Sequence, residues 1–141
     1  MGVMLYLAGR MNGDPGLRRK LRALRAADPP EAWTAIYAAP GAEKLPEELL
    51  RAMGLLCGYY EHAPGRHPAE LLAQHGPGGE RRLHRLLRSS GPLELARELT
   101  RLAQYLGGGL DYGLLEEALR DWGSAEKVRW IRRFGAEKEK D

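Results

Sequence analysis

The sequence predicts an all-α protein, a compact bundle of about seven helices. Apolar residues recur at helical spacing along almost the whole chain of 141 residues. No stretch alternates apolar and polar residues for long enough to predict a strand, and 43% of the residues are apolar, which suffices for one core. We therefore expect a single helical domain over residues 1–141, while a division into two small lobes, 1–78 and 79–141, stays open.

The first two helices are predicted from breakers and caps. The first covers about residues 3–11 and ends at Asn12 and Gly13. Asp14 followed by Pro15 is a good cap and first-turn pair for the second helix, which runs to about Ala27. Its apolar line is Leu17, Leu21 and Leu24.

Residues 28–46 contain many breakers and are expected to form a connector, with at most a short helix around residues 33–38. Residues 46–60 have the spacing of a core helix. After a turn, a short helix is expected at about 68–74. The glycines and proline of residues 76–79 then end that helix and precede the next one, ERRLHRLLR.

The last third predicts three more helices. One begins near Pro92 and is terminated by the glycines of 107–109. Asp111 caps the next, and Ser124 caps the last. The residues expected to face inward on these final two helices are Leu114, Leu115, Ala118, Leu119, Trp122, Val128, Ile131 and Phe134. Residues 135–141 form a charged, frayed tail.

No enzyme, cofactor or metal site is predicted. The chain has no nucleophile elbow, zinc-protease motif, phosphate-binding loop or paired-cysteine spacing. Cys57, His62 and His67 could together ligate zinc, but a fourth ligand is missing, and we expect a core cysteine and two turn histidines. The acidic residues around Arg120, which are Glu116, Glu117 and Asp121, have the pattern of a solvated helix face.

A single cysteine excludes an internal disulfide and fits a reducing cytoplasm. The apolar opening, MGVMLYLAGRM, is too short to span a bilayer and has no basic run before it, so we expect neither a signal peptide nor a membrane anchor.

Arginines at helical spacing are the main functional signal. The formal net charge is only +3, but three helices carry arginine stripes with few acidic neighbours, of which Glu80 and Glu126 are the nearest. Taken singly, a charged face more often just meets solvent, yet three aligned stripes would follow a phosphate backbone. The candidate binding residues are Arg18, Arg22, Arg25, Arg81, Arg85, Arg88, Arg129, Arg132 and Arg133.

Sequence-specific reading of bases is not expected, because no motif for it is present. Four aromatic residues could stack on bases, although their helical spacing favours a place in the core. They are Tyr59, Tyr60, Tyr105 and Trp130.

The run LGGGLDYGLLEEALRDWGSAEKVRWIRRFG, residues 106–135, resembles the closing segment of the CasB family, the small subunit of the type I-E CRISPR effector complex called Cascade. Residues 13–24, GDPGLRRKLRAL, resemble that family's early helix, and residues 80–106 resemble the segment before the closing motif. The order of the three segments is the family order. Residues 28–75 lie outside the resemblance, so no family contact is assigned there.

The resemblance implies a non-catalytic, all-α subunit that helps to hold the guide–target hybrid complex together and gives the displaced non-target strand a basic path. Its implied partners are other Cascade subunits, the CRISPR guide RNA with its target DNA, and a second copy of itself arranged head to tail. It also implies that Trp122 and Trp130 are buried. The alternative function is a purely structural adaptor whose arginine faces bind acidic protein partners.

Overall fold

Helices make up nearly all the regular structure of the computed structural model, which describes residues 2–140, and the all-α prediction is confirmed. Within these residues there are ten α-helices, seven of them with eight or more residues, and no strand. The helices are α1 (Val3–Gly13), α2 (Leu17–Arg22), α3 (Pro30–Tyr37), α4 (Glu47–Tyr59), α5 (Pro68–Ala73), α6 (Gly76–Leu87), α7 (Pro92–Arg101), α8 (Ala103–Leu106), α9 (Tyr112–Arg120) and α10 (Ser124–Lys138). Two short 3-10 helices lie at Ala23–Arg25 and Ala42–Lys44. None of the helices in this described part is long and apolar enough to cross a membrane.

Helix α4 is the centre of the bundle. Nine of its 13 residues are buried, and α1, α2, α3, α7 and α9 all pack against it. Two glycines allow the closest approaches, because a Cβ added at Gly54 would lie 2.8 Å from a methyl group of Leu24, and one at Gly58 would lie 2.7 Å from the backbone nitrogen of Arg22. Helix α2 therefore rests directly on the α4 backbone.

Helix α5 packs against α6, α8 and α10, and Trp130 of α10 fills the space beside it. Its side chain is fully buried. The indole ring meets His67 and Trp122 edge-on, at centroid distances of 4.6 and 4.8 Å, and its Nε1 donates to the carboxylate of Glu126 at 3.1 Å. The buried apolar residues form one cluster from Val3 to Phe134. The division into two lobes stays a prediction.

The segment that follows the glycine run is tied to residues 61–67 by backbone hydrogen bonds. The amide of Ala63 donates to the carbonyl of Leu110, and the amide of Leu110 donates to the carbonyl of Glu61, both at 2.9 Å. A Cβ at Gly109 would lie 2.3 Å from that Glu61 oxygen, so this contact requires glycine. Asp111 caps α9 as predicted, because its Oδ1 accepts from the Gly113 amide at 2.8 Å.

Two predicted caps are wrong. The N-cap of α2 is Gly16, which provides no side-chain hydrogen bond, so Asp14 does not cap this helix. Gly123 likewise precedes α10, and Ser124 is the first helical residue. Helix α2 also ends earlier than predicted and continues as the 3-10 helix at Ala23–Arg25.

The start of α6 differs from the prediction as well. The glycines and proline of residues 76–79 form its first turn. At Gly79 an added Cβ would lie 1.9 Å from the carbonyl oxygen of Leu72, at the end of α5. Glycine is therefore needed at this position, where the backbones of α5 and α6 lie close together.

Helix α10 buries a narrower face than predicted. Val128 and Ile131 were expected to face inward, but they are 41% and 48% exposed. The buried line is Glu126, Trp130 and Phe134, which are spaced four residues apart and so lie above one another. The helix also reaches Lys138 and so includes residues 135–138 of the expected tail.

Glu116 also differs from the prediction, because it is only 8% exposed although its sequence pattern predicted a solvated side chain. Its Oε1 accepts from the Met4 amide at 2.8 Å, and its Oε2 pairs with Arg120 at 3.0 Å. A carboxylate beside the first amides of α1 satisfies a donor that the helix cannot and complements the helix dipole. Glu117 and Asp121 are exposed, as predicted.

The Trp130→Ala substitution is expected to lower the free energy of unfolding by about 3–5 kcal/mol, because it removes a fully buried side chain. Urea unfolding followed by far-UV circular dichroism measures this change. The matched control is Ile131→Ala on the exposed side of the same helix, for which we expect a change within about 0.5 kcal/mol. Equal losses for the two variants would contradict the assigned orientation of α10.

Candidate nucleic-acid interface

The stripe on α6 is the most open of the three arginine stripes. Arg81, Arg85 and Arg88 are exposed, and none of their side chains has a hydrogen-bond or ion-pair partner among residues 2–140. On the opposite side of the helix Leu83 and Leu86 are buried, so the arginines and the leucines occupy separate faces. The three arginines span roughly 10 Å of helix axis.

The stripe on α2 is largely engaged within the protein. Arg18 donates from Nη1 to the carbonyls of Cys57 at 2.7 Å and Tyr60 at 3.1 Å. Arg22 donates from Nε to the carbonyl of Gly58 at 2.6 Å. These bonds satisfy carbonyl groups at the end of α4 that have no partner within the helix. Arg25 is exposed in the 3-10 helix, and nucleic-acid binding by all three residues stays a prediction.

The stripe on α10 contains two ion pairs. Arg129 pairs with Glu126 one turn earlier, and Arg133 Nη1 lies 2.9 Å from a carboxylate oxygen of Glu70 on α5. Arg132 is exposed. The ion pairs neutralise part of the positive charge of this face, so its binding role, too, stays a prediction.

The contacts between helices determine which stripes are neighbours. Helices α6 and α10 both pack on α5, whereas α2 packs on α4 and against α1 and α3. The α6 and α10 stripes thus lie on two helices that flank the short helix α5. The α2 stripe lies on one of the helices that surround α4.

A cluster that the sequence analysis did not connect lies beside the α6 stripe. It consists of His75, Arg82 and Tyr105, and we call it the stacked cluster. The guanidinium carbon of Arg82 lies 3.9 Å from the ring centroid of Tyr105, and the His75 ring lies 4.4 Å from that same centroid. No local pattern joins these residues, because Tyr105 comes from α8. Of the other three aromatics considered for stacking, Tyr60 and Trp130 are core residues, whereas Tyr59 is half-buried.

The three residues considered for zinc make contacts within the protein. Cys57 is buried, as expected for a core residue, and burial raises the pKa of its thiol. His62 Nδ1 accepts from the Tyr112 amide, and His67 Nδ1 accepts from the Ala69 amide, both at 3.0 Å. Within residues 2–140 no three histidine, cysteine, aspartate or glutamate side chains are grouped so that they could share a metal ion.

The fold matches two solved structures of CRISPR-associated proteins from Thermus thermophilus. CasB gives a TM-score of 0.73 at 24% identity, and a Cse2-family protein of the same organism gives 0.78 at 22% identity. Each match covers 95% of this chain and 96% of the other. At these identities the likeness shows a shared fold. No functionally curated sequence matches the chain.

The protein is therefore a helical protein with the fold of these two structures. The sequence model for the CRISPR-associated protein Cse2 matches residues 16–134, and the chain belongs to the Cse2 family, also called CasB. The resemblance found in the sequence is confirmed.

Stability is expected to fall as pH is lowered from 7 to 5, in part because of His67. Burial lowers the pKa of His67 from 6.5 to about 3, and the positive charge of Arg133 acts in the same direction. Between these pH values the unfolded chain binds a proton that the folded chain excludes. The contribution of His67 is therefore present above about pH 6.5 and is lost below it, by up to about 1.4 kcal/mol per pH unit.

The His67→Asn substitution tests this, because asparagine retains a helix-capping oxygen but does not titrate. We expect its free energy of unfolding, measured by urea titration at several pH values, to depend less steeply on pH than that of the wild type. The His84→Asn substitution, at an exposed position of α6, should leave the dependence unchanged. A slope identical in His67→Asn and wild type would show that His67 is not a buried neutral histidine.

Proposed function

We propose that this protein is a non-catalytic subunit of a type I-E CRISPR effector complex, Cascade, that binds nucleic-acid backbone without sequence specificity and stabilises the displaced non-target strand of the R-loop. Membership of the Cse2 family supports the role in CRISPR defence. The observation that carries the binding role is the exposed α6 stripe of Arg81, Arg85 and Arg88, which has no ion-pair partner in the described residues. Its partners in the complex are other Cascade subunits, the guide RNA with its target DNA, and a second copy of this chain.

The chemistry of the stripe suits phosphate. Guanidinium groups stay charged and offer paired donors to phosphate oxygens. Only one acidic residue, Glu80, lies on α6. The leucines on the opposite side anchor the helix, so the stripe is held on a rigid element. In an R-loop complex base pairing supplies the sequence specificity, and a subunit that contacts backbone needs no reading of bases.

A second role, as a structural adaptor, is favoured by the outer face of α10. Val128 and Ile131 are exposed there as an apolar pair, with Arg132 next to them. Apolar side chains beside arginine are characteristic of the centre and rim of protein interfaces. We assign this face to a neighbouring protein subunit with an acidic surface. The two roles use different helices and are compatible.

The double substitution Arg81→Glu with Arg85→Glu is expected to weaken binding of single-stranded DNA roughly tenfold or more, because it replaces two phosphate contacts with repulsive charges. Fluorescence anisotropy of a labelled oligonucleotide over a series of salt concentrations measures the effect. For the wild type, engagement of about six phosphates would give a log–log slope near −4.

The control for this variant is Lys44→Glu with Arg97→Glu, which changes the net charge equally at exposed positions outside the three stripes. It should bind nearly as well as the wild type. Equal losses of affinity in the two double variants would show that binding depends only on the net charge of the protein. That result would contradict a binding site on α6. Unfolding of the Arg81→Glu, Arg85→Glu variant would contradict the surface position of the stripe.

The pair Val128→Asp with Ile131→Asp is expected to prevent incorporation into the effector complex while the free protein stays folded, because both side chains are exposed. Co-purification with the other subunits after co-expression measures incorporation. Leu5→Asp with Tyr37→Asp alters two other exposed apolar residues and is the control. Normal incorporation of the α10 variant would show that this face is not part of an interface with another subunit.

A further inference from the structure

In the stacked cluster of His75, Arg82 and Tyr105, the arginine and the tyrosine are partly buried, whereas the histidine is open to solvent. Tyr105 and Arg82 are half-buried, and Tyr105 packs against the core. His75 is exposed, although its ring is tilted by only 39° from that of Tyr105 at a centroid distance of 4.4 Å. One part of the imidazole is thus supported by the phenol ring, and the rest is open to solvent.

The first turn of α6 is shaped to hold this arrangement. Arg82 Nη1 donates to the carbonyl of Gly78 at 3.1 Å, which fixes the guanidinium against Tyr105. A Cβ at Gly78 would lie 3.1 Å from that same nitrogen, and Gly76 has a positive φ of 63° that other residues rarely adopt. The His75 ring is therefore supported before any ligand binds, so little conformational entropy remains to be lost.

The position of the cluster relates it to the α6 stripe. His75 is the residue that precedes α6, and Arg82 lies within that helix, one position after Arg81. A basic track with an aromatic ring beside it is the usual arrangement for binding single strands, in which phosphates meet cations and a base stacks on a ring. The bases of a duplex are already stacked on one another, so this ring can serve only an unpaired base.

We propose that the exposed imidazole of His75, supported by Tyr105 and Arg82, is a stacking platform for one unpaired nucleobase of a strand whose backbone follows the α6 arginines. This inference rests on the proposed nucleic-acid role. It adds to that role a preference for single strands, together with a contact to a base that does not depend on its identity, because every base has a π-face.

The test compares two labelled oligonucleotides of equal length at one low salt concentration, oligothymidine and a strand of abasic residues. They carry the same phosphates, so a difference in affinity measures contacts to bases. By fluorescence anisotropy we expect the wild type to bind oligothymidine roughly fivefold or more tightly than the abasic strand. The His75→Ala variant should lose most of that difference and bind the abasic strand like the wild type.

Two further variants separate stacking from charge and from general effects. The His75→Phe variant should restore the preference for oligothymidine, because phenylalanine stacks but does not ionise. The His84→Ala variant removes another exposed histidine of α6, one that lies in none of the ring contacts of the described residues, and should leave both affinities unchanged. Failure of His75→Phe to restore the preference would overturn stacking as the cause.

The outcomes distinguish this inference from the proposed function. Equal wild-type affinities for the two strands would overturn the platform and leave backbone binding intact. Loss of abasic-strand binding in His75→Ala would also overturn it, because the histidine would then act on phosphates. Absence of wild-type binding to both strands would overturn the proposed nucleic-acid role itself, and the platform with it.

Discussion

The fold depends on the hydrogen bonds accepted by the backbone carbonyl groups at the C-terminal end of α4. This helix is surrounded by five others, so the carbonyl groups of its last turn cannot all turn to water, and a buried acceptor without a donor would cost about 1–3 kcal/mol. Side chains from α2 and α9 supply the donors. Those donors are Arg18, Arg22 and Tyr112, and the acceptors are the carbonyls of Cys57, Gly58 and Tyr60. Because Gly58 has no side chain, α2 comes close enough for both arginines to reach, and one junction thus joins α2, α4 and α9.

This junction explains why the three arginine stripes are not equivalent. A stripe on a helix that packs beside α4 is used to satisfy carbonyl groups, as Arg18 and Arg22 are. Helix α6 instead packs through its leucines on α5 and α7, so the arginines of its stripe have no carbonyl end to satisfy. Helix α10 is intermediate, because Arg133 reaches across to Glu70 while Arg132 is exposed. The spacing i, i+4, i+7 of the arginines at residues 18–25 and 81–88 therefore has different consequences, which are decided by the helices that each segment packs against.

The sequence predicted those features that depend on local spacing. The apolar line Leu17, Leu21 and Leu24 is buried, Asp111 is a cap, and both Trp122 and Trp130 are buried. Two local predictions, the caps at Asp14 and Ser124, were wrong, and the other failures occur where the partner is distant. Several apolar lines can be drawn on α10, and the pocket around Trp130 selects only one of them, which leaves Ile131 outside. Glu116 accepts a hydrogen bond from the Met4 amide in the first turn of α1, more than a hundred residues earlier, and no local pattern records such a contact.

The stacked cluster shows the same limit at the candidate site, and in the proposed binding role it is the source of the preference for single strands. Tyr105 comes from α8 and His75 from the turn before α6, so only the tertiary fold brings their rings together. Helix α6 then holds the His75 ring near its first turn and the three arginines along roughly the next 10 Å of its axis. The distances between the ring and the arginines are therefore fixed. A duplex could offer phosphates to the arginines, but its bases are enclosed and cannot meet the ring. Under the proposed function only an opened strand would satisfy both sets of contacts at once, and such a strand is what unwinding of a DNA target produces.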